Sequence, residues 1–243
     1  MDQGVTRVPG LRGANAWLVE TAQGLVLVDT GLPGQVRRIL DFLAGQGRAP
    51  GDLCAIVLTH ADPDHTGSAG ALKALTGAPV AIHRHDAPAL AGGFTPRRAK
   101  GPLSARTLLP RLARLGHEAG MALVMRLRPG AGWAPLVADA LLEDGERIAG
   151  LRVVHAPGHT AGSIALWRDD GALFAGDAVF GDPLGRAHPP PPATALDPVQ
   201  ARATAQRLFS LPFTTLYPGH GQPVVGRAAV GPRDPAPPGP PSA

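Results

Sequence analysis

Four side chains able to ligate a metal fall between positions 60 and 65 of this 243-residue chain, in Thr59-His60-Ala61-Asp62-Pro63-Asp64-His65-Thr66-Gly67. Three further clusters follow: Pro157-Gly158-His159-Thr160-Ala161-Gly162-Ser163, Gly176-Asp177, and Pro218-Gly219-His220-Gly221. Imidazole and carboxylate together suit zinc, iron or manganese. The glycines and prolines beside them fix loop backbones that must aim each ligand. A lone His at a strand end is ordinarily a satisfied polar residue, and Asp-Pro-Asp by itself would pass as a turn. The conjunction of four such clusters, each at the end of an apolar run, points instead to a metal centre.

The elements expected to position these residues alternate between strand and helix. Residues 16–20 and 25–28 flank the Gln23-Gly24 turn and read as a hairpin that ends at Asp29-Thr30-Gly31. Residues 34–44 carry Val36, Ile39, Leu40 and Leu43 at helical spacing, and 54–58 form a continuous apolar run suited to a buried strand. A helix over 66–75 and a strand over 80–82 complete a β, α, β, α, β unit. Strands are expected again at 151–154, 163–167, 172–175 and 214–217, with a helix over 198–209. Two sheet-and-helix halves result.

Between them lies an Arg-rich insertion at about 87–139. Its stretch from Arg97 to Arg128 holds Arg97, Arg98, Lys100, Arg106, Arg111, Arg114, Arg126 and Arg128 against Glu118 alone. Pro110 could open a helix there. A solvated cationic surface explains the arginines, as does attraction of an anionic substrate such as an acyl-CoA or a phosphorylated ester; contact with a membrane surface is a weaker third option. The reading is thus one domain over 1–230 and a disordered Pro-rich tail over 231–243.

Composition narrows the function classes. Of 23 basic residues only Lys73 and Lys100 are lysines, and abundant Ala, Arg, Gly and Pro look like the output of a GC-rich genome, so the net charge of +4 is a weak sign of nucleic-acid binding, and no nucleic-acid partner is expected. No run of apolar residues is long enough to span a bilayer and no secretory signal is visible, so the expectation is a cytoplasmic protein acting on a small molecule. Oligomeric state is not readable. Cys54 is expected to be buried and without chemistry. His83, His85, His117 and His188 read as structural or solvated, and His155 as a side chain turned away from the ions or standing just behind the ligands.

From about Ala14 to Gly226 the chain resembles the metallo-β-lactamase superfamily and, within it, the glyoxalase II-like hydrolases. The signature H-x-H-x-D-H, a His in a P-G-H-T-x-G-S turn, an Asp after a strand and a late G-H fall on His60, Asp64, His65, His159, Asp177 and His220. The resemblance implies a four-layer αββα sandwich of the metallo-β-lactamase type. It implies two divalent ions, zinc first and Mn or Fe as alternatives, with His60, Asp62 and His159 on one, Asp64, His65 and His220 on the other, and Asp177 bridging. Asp29 is a turn residue or an anchor behind a ligand.

The sequence departs from the signature at Asp62, where a second His is usual. Three carboxylates against two dications leave about +1 where the usual set leaves about +2, which makes the water less acid and harder ions more competitive. Otherwise Asp62 does not bind and one site fills poorly. The implied reaction is hydrolysis of a small ester, thioester or lactone by hydroxide from a dinuclear site, with Asp64 handling the leaving-group proton. The rival is a mononuclear iron oxidoreductase like the sulfur dioxygenases of this fold, which use positions matching His60, His159 and Asp177.

Overall fold

The computed structural model describes residues 4–92 and 135–226. The expectations for Pro110, His117, the arginines from Arg97 to Arg128 and the tail at 231–243 lie outside them. Among the described residues no helix is long and apolar enough to cross a membrane.

One sheet is built from β1 (Val5–Arg7), β2 (Trp17–Thr21), β3 (Gly24–Val28), β4 (Leu53–Leu58), β5 (Val80–His83) and β6 (Ala140–Leu142), in that spatial order. The first three strands are antiparallel neighbours, and β3 to β6 run parallel. The second sheet has the order β13 (Val224–Val225), β12 (Thr215–His220), β10 (Ala172–Gly181), β9 (Ile164–Trp167), β8 (Leu151–His155), β7 (Arg147–Ile148), with β11 (Ala187–His188) paired to β10. Within it β10 and β12 are parallel.

Both sheets are covered on both faces, which is why their strands read as unbroken apolar runs instead of alternating patterns. Along β3, Leu25 and Leu27 point into one core while Val26 and Val28 point into another; on β4, Ile56 and Leu58 oppose Ala55 and Val57 in the same way. The first core packs under α1 (Val36–Gly45) through Ile39 and Leu43, and under α3 (Ala69–Thr76) through Leu72. The central core joins the two sheets through Trp17, Val153, Leu166, Phe174 and Tyr217. A third lies between the second sheet and α5 (Pro198–Ser210), with Leu173, Val179, Ala205, Leu208 and Leu216. Asp197 starts α5 by accepting the N–H groups of Val199 and Gln200, and Pro198 occupies its first turn. Helix, sheet, sheet, helix is the αββα sandwich.

Three local features differ from the sequence expectations. The helix expected over 66–75 is two pieces, α2 (Pro63–Thr66) and α3, broken at Gly67. A Cβ at Gly67 would collide with the backbone nitrogen of Pro33, so this close crossing of two loops requires glycine and the helix cannot run straight through. The segment marked as an insertion begins with α4 (Ala87–Gly92), whose Leu90 is buried in the first core. Cys54 is half-buried instead of buried, and burial raises its thiol pKa, which leaves it a poor nucleophile.

Candidate metal centre

The ends of the parallel strands meet at one edge of the sandwich, where carbonyl ends and loops converge. β3 delivers Asp29, β4 delivers His60, and the loop after it with α2 delivers Asp62, Asp64 and His65. β10 carries Asp177 within the register irregularity between Gly176 and Phe180, and β12 ends at His220. His159 comes from the loop joining β8 to β9. All seven side chains expected to ligate, from four separated stretches of sequence, lie together.

The distances describe a single cluster. Asp62 Oδ2 lies 3.0 Å from His159 Nε2 and 3.5 Å from His60 Nε2. Asp64 Oδ2 lies 3.2 Å from His220 Nε2 and 3.9 Å from His65 Nε2. Asp177 reaches both groups: its Oδ1 is 3.2 Å from His65 Nε2, and its Oδ2 is 3.4 Å from His220 Nε2 and 3.6 Å from His159 Nε2. His60, Asp62 and His159 form one set of converging donor atoms and Asp64, His65 and His220 another, with His60, His65 and Asp177 linking them.

Several of these groups are buried with their hydrogen-bonding capacity unfilled. Among the described residues, His60 Nε2, His65 Nε2, His159 Nδ1 and Asp177 Oδ1 are buried polar atoms without a hydrogen-bond partner. Orphaned buried donors and acceptors of this kind each cost about 1–3 kcal/mol, and three of the four, His60 Nε2, His65 Nε2 and Asp177 Oδ1, lie inside the cluster, so the fold is shaped there for a further occupant. Cations fit: all the donors are imidazole nitrogens or carboxylate oxygens.

The electrostatics say the same. Burial works against charge on His65, but Asp177, Asp29 and Asp64 outweigh it and raise its pKa well above the ordinary histidine value. His220 is likewise opposed by burial yet pushed up to about 9, chiefly by Asp177. Burial disfavours the charge on Asp177, and His65 and His220 nonetheless hold its carboxyl well below the usual range; Asp64 is lowered in the same way by His65 and His220 against its burial. Without cations His65 and His220 keep protons in their place.

Around it stand side chains that fix the loops. Asp29 sits at φ 61°, a left-handed conformation that aspartate tolerates better than most residues. Its carboxylate accepts the Thr59 N–H at 2.8 Å and the Thr59 hydroxyl at 2.8 Å, and its Oδ2 lies 2.7 Å from His65 Nδ1. This turns His65 Nε2 towards the centre. Gly219 is required where the His220 strand passes over the site, because a Cβ there would run into Asp177 Oδ1 and come within 2.8 Å of His65 Cε1.

Two such residues escaped the sequence reading. Asp86, buried just after β5, accepts the Ala61 N–H at 2.9 Å, the Thr160 hydroxyl at 2.7 Å and the Gly162 N–H at 2.8 Å. One carboxylate thereby ties the loop of His60 and Asp62 to the loop of His159, across the two sheets. Asn15 donates its side-chain amide to the carbonyls of Pro218 and Gly221, both at 3.0 Å, and its backbone N–H to Gly219 at 2.7 Å, clamping the His220 turn. Neither residue belongs to a ligand-like motif; Asp86 is marked only by being a carboxylate at the end of a buried strand.

The remaining histidines divide. His188 is exposed, lies against Phe180 and has its Nδ1 on the Pro189 carbonyl. His83, His85 and His155, which the sequence treats as separate residues, are gathered in a second cluster in which His83 and His155 stack at 4.3 Å between ring centroids and 3° between planes.

Known proteins place this geometry. A probable metallo-hydrolase of Bacillus subtilis, YflN, is 28% identical over 232 residues, covering 88% of this chain and 83% of its own. A hydroxyacylglutathione hydrolase of Cupriavidus taiwanensis is 33% identical over 222 residues, covering 89% of this chain and 66% of its own. The solved structure of TTHA1623 in a di-iron-bound form superposes with a TM-score of 0.64 at 30% identity, covering 91% of this chain and 93% of that one. The family model described as the metallo-beta-lactamase superfamily matches residues 9–220, a span that holds every side chain of the centre, and the chain belongs to that superfamily of hydrolases.

Proposed function

We propose that the chain is a dinuclear metal-dependent hydrolase of small thioesters, with esters and lactones as lesser substrates. His60, Asp62 and His159 hold one ion, Asp64, His65 and His220 hold the other, and Asp177 serves both. The observation that carries this reading is the convergence of seven side chains around buried nitrogens and a carboxylate oxygen that lack hydrogen-bond partners. When bound, two divalent ions lower the pKa of a water towards neutrality and polarise the substrate's carbonyl oxygen.

The protein's own contribution is to orient and to move protons. Asp29 fixes the His65 ring, and Asp86 keeps the two ligand loops at a constant separation. Asp64 and Asp62 are the carboxylates most open to solvent, with side chains 23% and 25% exposed, whereas Asp177 is 6% exposed. Exposure leaves both Asp62 and Asp64 able to exchange a proton with water, and we assign to Asp64, beside His220, the transfer from the attacking water to the leaving thiolate. The thioester class rests on the Cupriavidus relative, whose named substrate joins an acyl group to glutathione through sulfur; this chain spans about two-thirds of its length.

Asp62 bears on metal identity. A third carboxylate lowers the net charge of the loaded centre and favours harder ions over zinc, and the di-iron form of TTHA1623 is in keeping with iron in this fold. Protein purified without added metal is expected to carry two ions per chain and to hydrolyse acyl-glutathione or acyl-CoA thioesters faster than p-nitrophenyl esters or lactones. One iron per chain, with oxygen uptake on a glutathione persulfide and no thioester turnover, would replace this reading with the mononuclear dioxygenase.

A further inference from the structure

His83 closes β5 in the first sheet, His85 lies two residues on in the turn before α4, and His155 closes β8 in the second sheet. One ligand nitrogen from each lies within 4.8 Å of the others, and none of the three belongs to the seven-residue centre. We propose that these three imidazoles form a separate site for a single zinc ion, which clamps the end of one sheet to the end of the other.

The donor chemistry selects the class of ion. Three neutral nitrogens without a carboxylate among them suit zinc and its neighbours copper and nickel, and leave alkaline-earth ions no oxygen cage. Three imidazoles with a fourth position left to water is an established zinc arrangement. His155 is prepared for the role: its Nε2 lies 3.0 Å from the Ala161 carbonyl, which accepts its proton and leaves Nδ1 with a free lone pair. Its backbone N–H is held by Asp144 at 2.7 Å, so the ring has a fixed origin. His83 is 3% exposed and stacked flat on His155, whereas His85 is exposed and meets both rings edge-on, at 4.9 Å and 5.9 Å between centroids.

Burial first, then His155 and His85, push the His83 pKa down to about 4, so this ring is neutral at physiological pH and gives up no proton on binding. Asp86 and Glu143 supply negative charge nearby. Two features oppose the ion: the His83 and His155 rings are parallel within 3°, so one of them has to turn before both in-plane lone pairs reach a common ion, and the His85 backbone N–H donates to His83 Nδ1 at 3.2 Å, a long hydrogen bond that coordination through that nitrogen has to displace.

The test is a count of zinc per chain by equilibrium dialysis at micromolar zinc, for the wild-type protein, His85→Gln and His155→Gln. His85 is exposed, so His85→Gln keeps the fold, which circular dichroism checks. Each variant is expected to hold one ion fewer than the wild type, and added zinc is expected to raise the wild-type Tm further than that of His85→Gln. Equal counts in the wild type and His85→Gln, or a difference between them that appears only at millimolar zinc, would overturn the proposal. Because the result is a difference of one ion, it does not depend on what the seven-residue centre holds or on which reaction it catalyses.

Discussion

Two groups of histidines lie at the same edge of the sandwich and have opposite electrostatics. In the seven-residue centre every imidazole has a carboxylate beside it, and His65 and His220 are driven towards the charged form in spite of their burial. In the His83, His85 and His155 group each ring packs against another ring, and His83 is driven towards the neutral form. The residue type is the same, so the spacing of acids decides whether a buried histidine stores a proton or a lone pair. His65 and His220 in the first group must exchange protons for cations; His83 in the second has none to give up.

The largest effect comes from making the first group resemble the second. Asp177→Asn removes the carboxylate that faces His65, His159 and His220, and is expected to lower kcat/KM by about three orders of magnitude or more and to cut metal content below two ions per chain. In metal-free protein, loss of this carboxylate should move the His220 titration seen by NMR well below about 9. A variant with full metal content and near wild-type turnover would remove Asp177 from the centre.

Cutting the link between the loops is next. Asp86→Asn places an amide donor against an N–H or hydroxyl that Asp86 now accepts, and is expected to weaken metal binding by about 10–100-fold, as measured by competition with a chromogenic chelator. Stability should fall by about 1–3 kcal/mol in urea titration. Unchanged affinity with the same loss of stability would make Asp86 a matter of folding alone.

Acidity separates the groups more gently. In metal-free protein the raised pKa of His220 contributes stability that is complete below the ordinary histidine pKa and is lost as pH climbs through about 9. The depressed pKa of Asp177 contributes stability present above the ordinary aspartate value and lost as pH falls below it. Metal uptake by the centre must release the imidazole protons, so its apparent affinity is expected to rise with pH up to about 9, with proton release measurable in weakly buffered titrations. An affinity flat across that range would contradict the charge exchange. The smallest change runs the other way: His85→Asp puts a carboxylate among the second group and is expected to raise the His83 pKa from about 4 by roughly one unit, read from its NMR titration.

Much of this protein was written in the order of its residues. Apolar runs such as 54–58 and 172–175 carry the strands, and the clusters at their ends carry the side chains that converge, because a buried strand can show chemistry only where it leaves the core. The seven centre residues and Asp29 were thus legible from spacing, adjacent Gly and Pro, and the resemblance these motifs support. The sequence did not reveal what depends on contacts between distant loops. Asp86 carries no motif, and its three acceptor contacts exist only once the ends of the two sheets meet. The break at Gly67 follows from the crossing of the Pro33 loop, which helical periodicity cannot register. His83 and His155 are 72 positions apart in the chain and become ring-on-ring neighbours only because β5 and β8 end side by side in facing sheets. Local pattern sets which groups are available at each strand end; the packing of one sheet on the other determines which of those ends share a site.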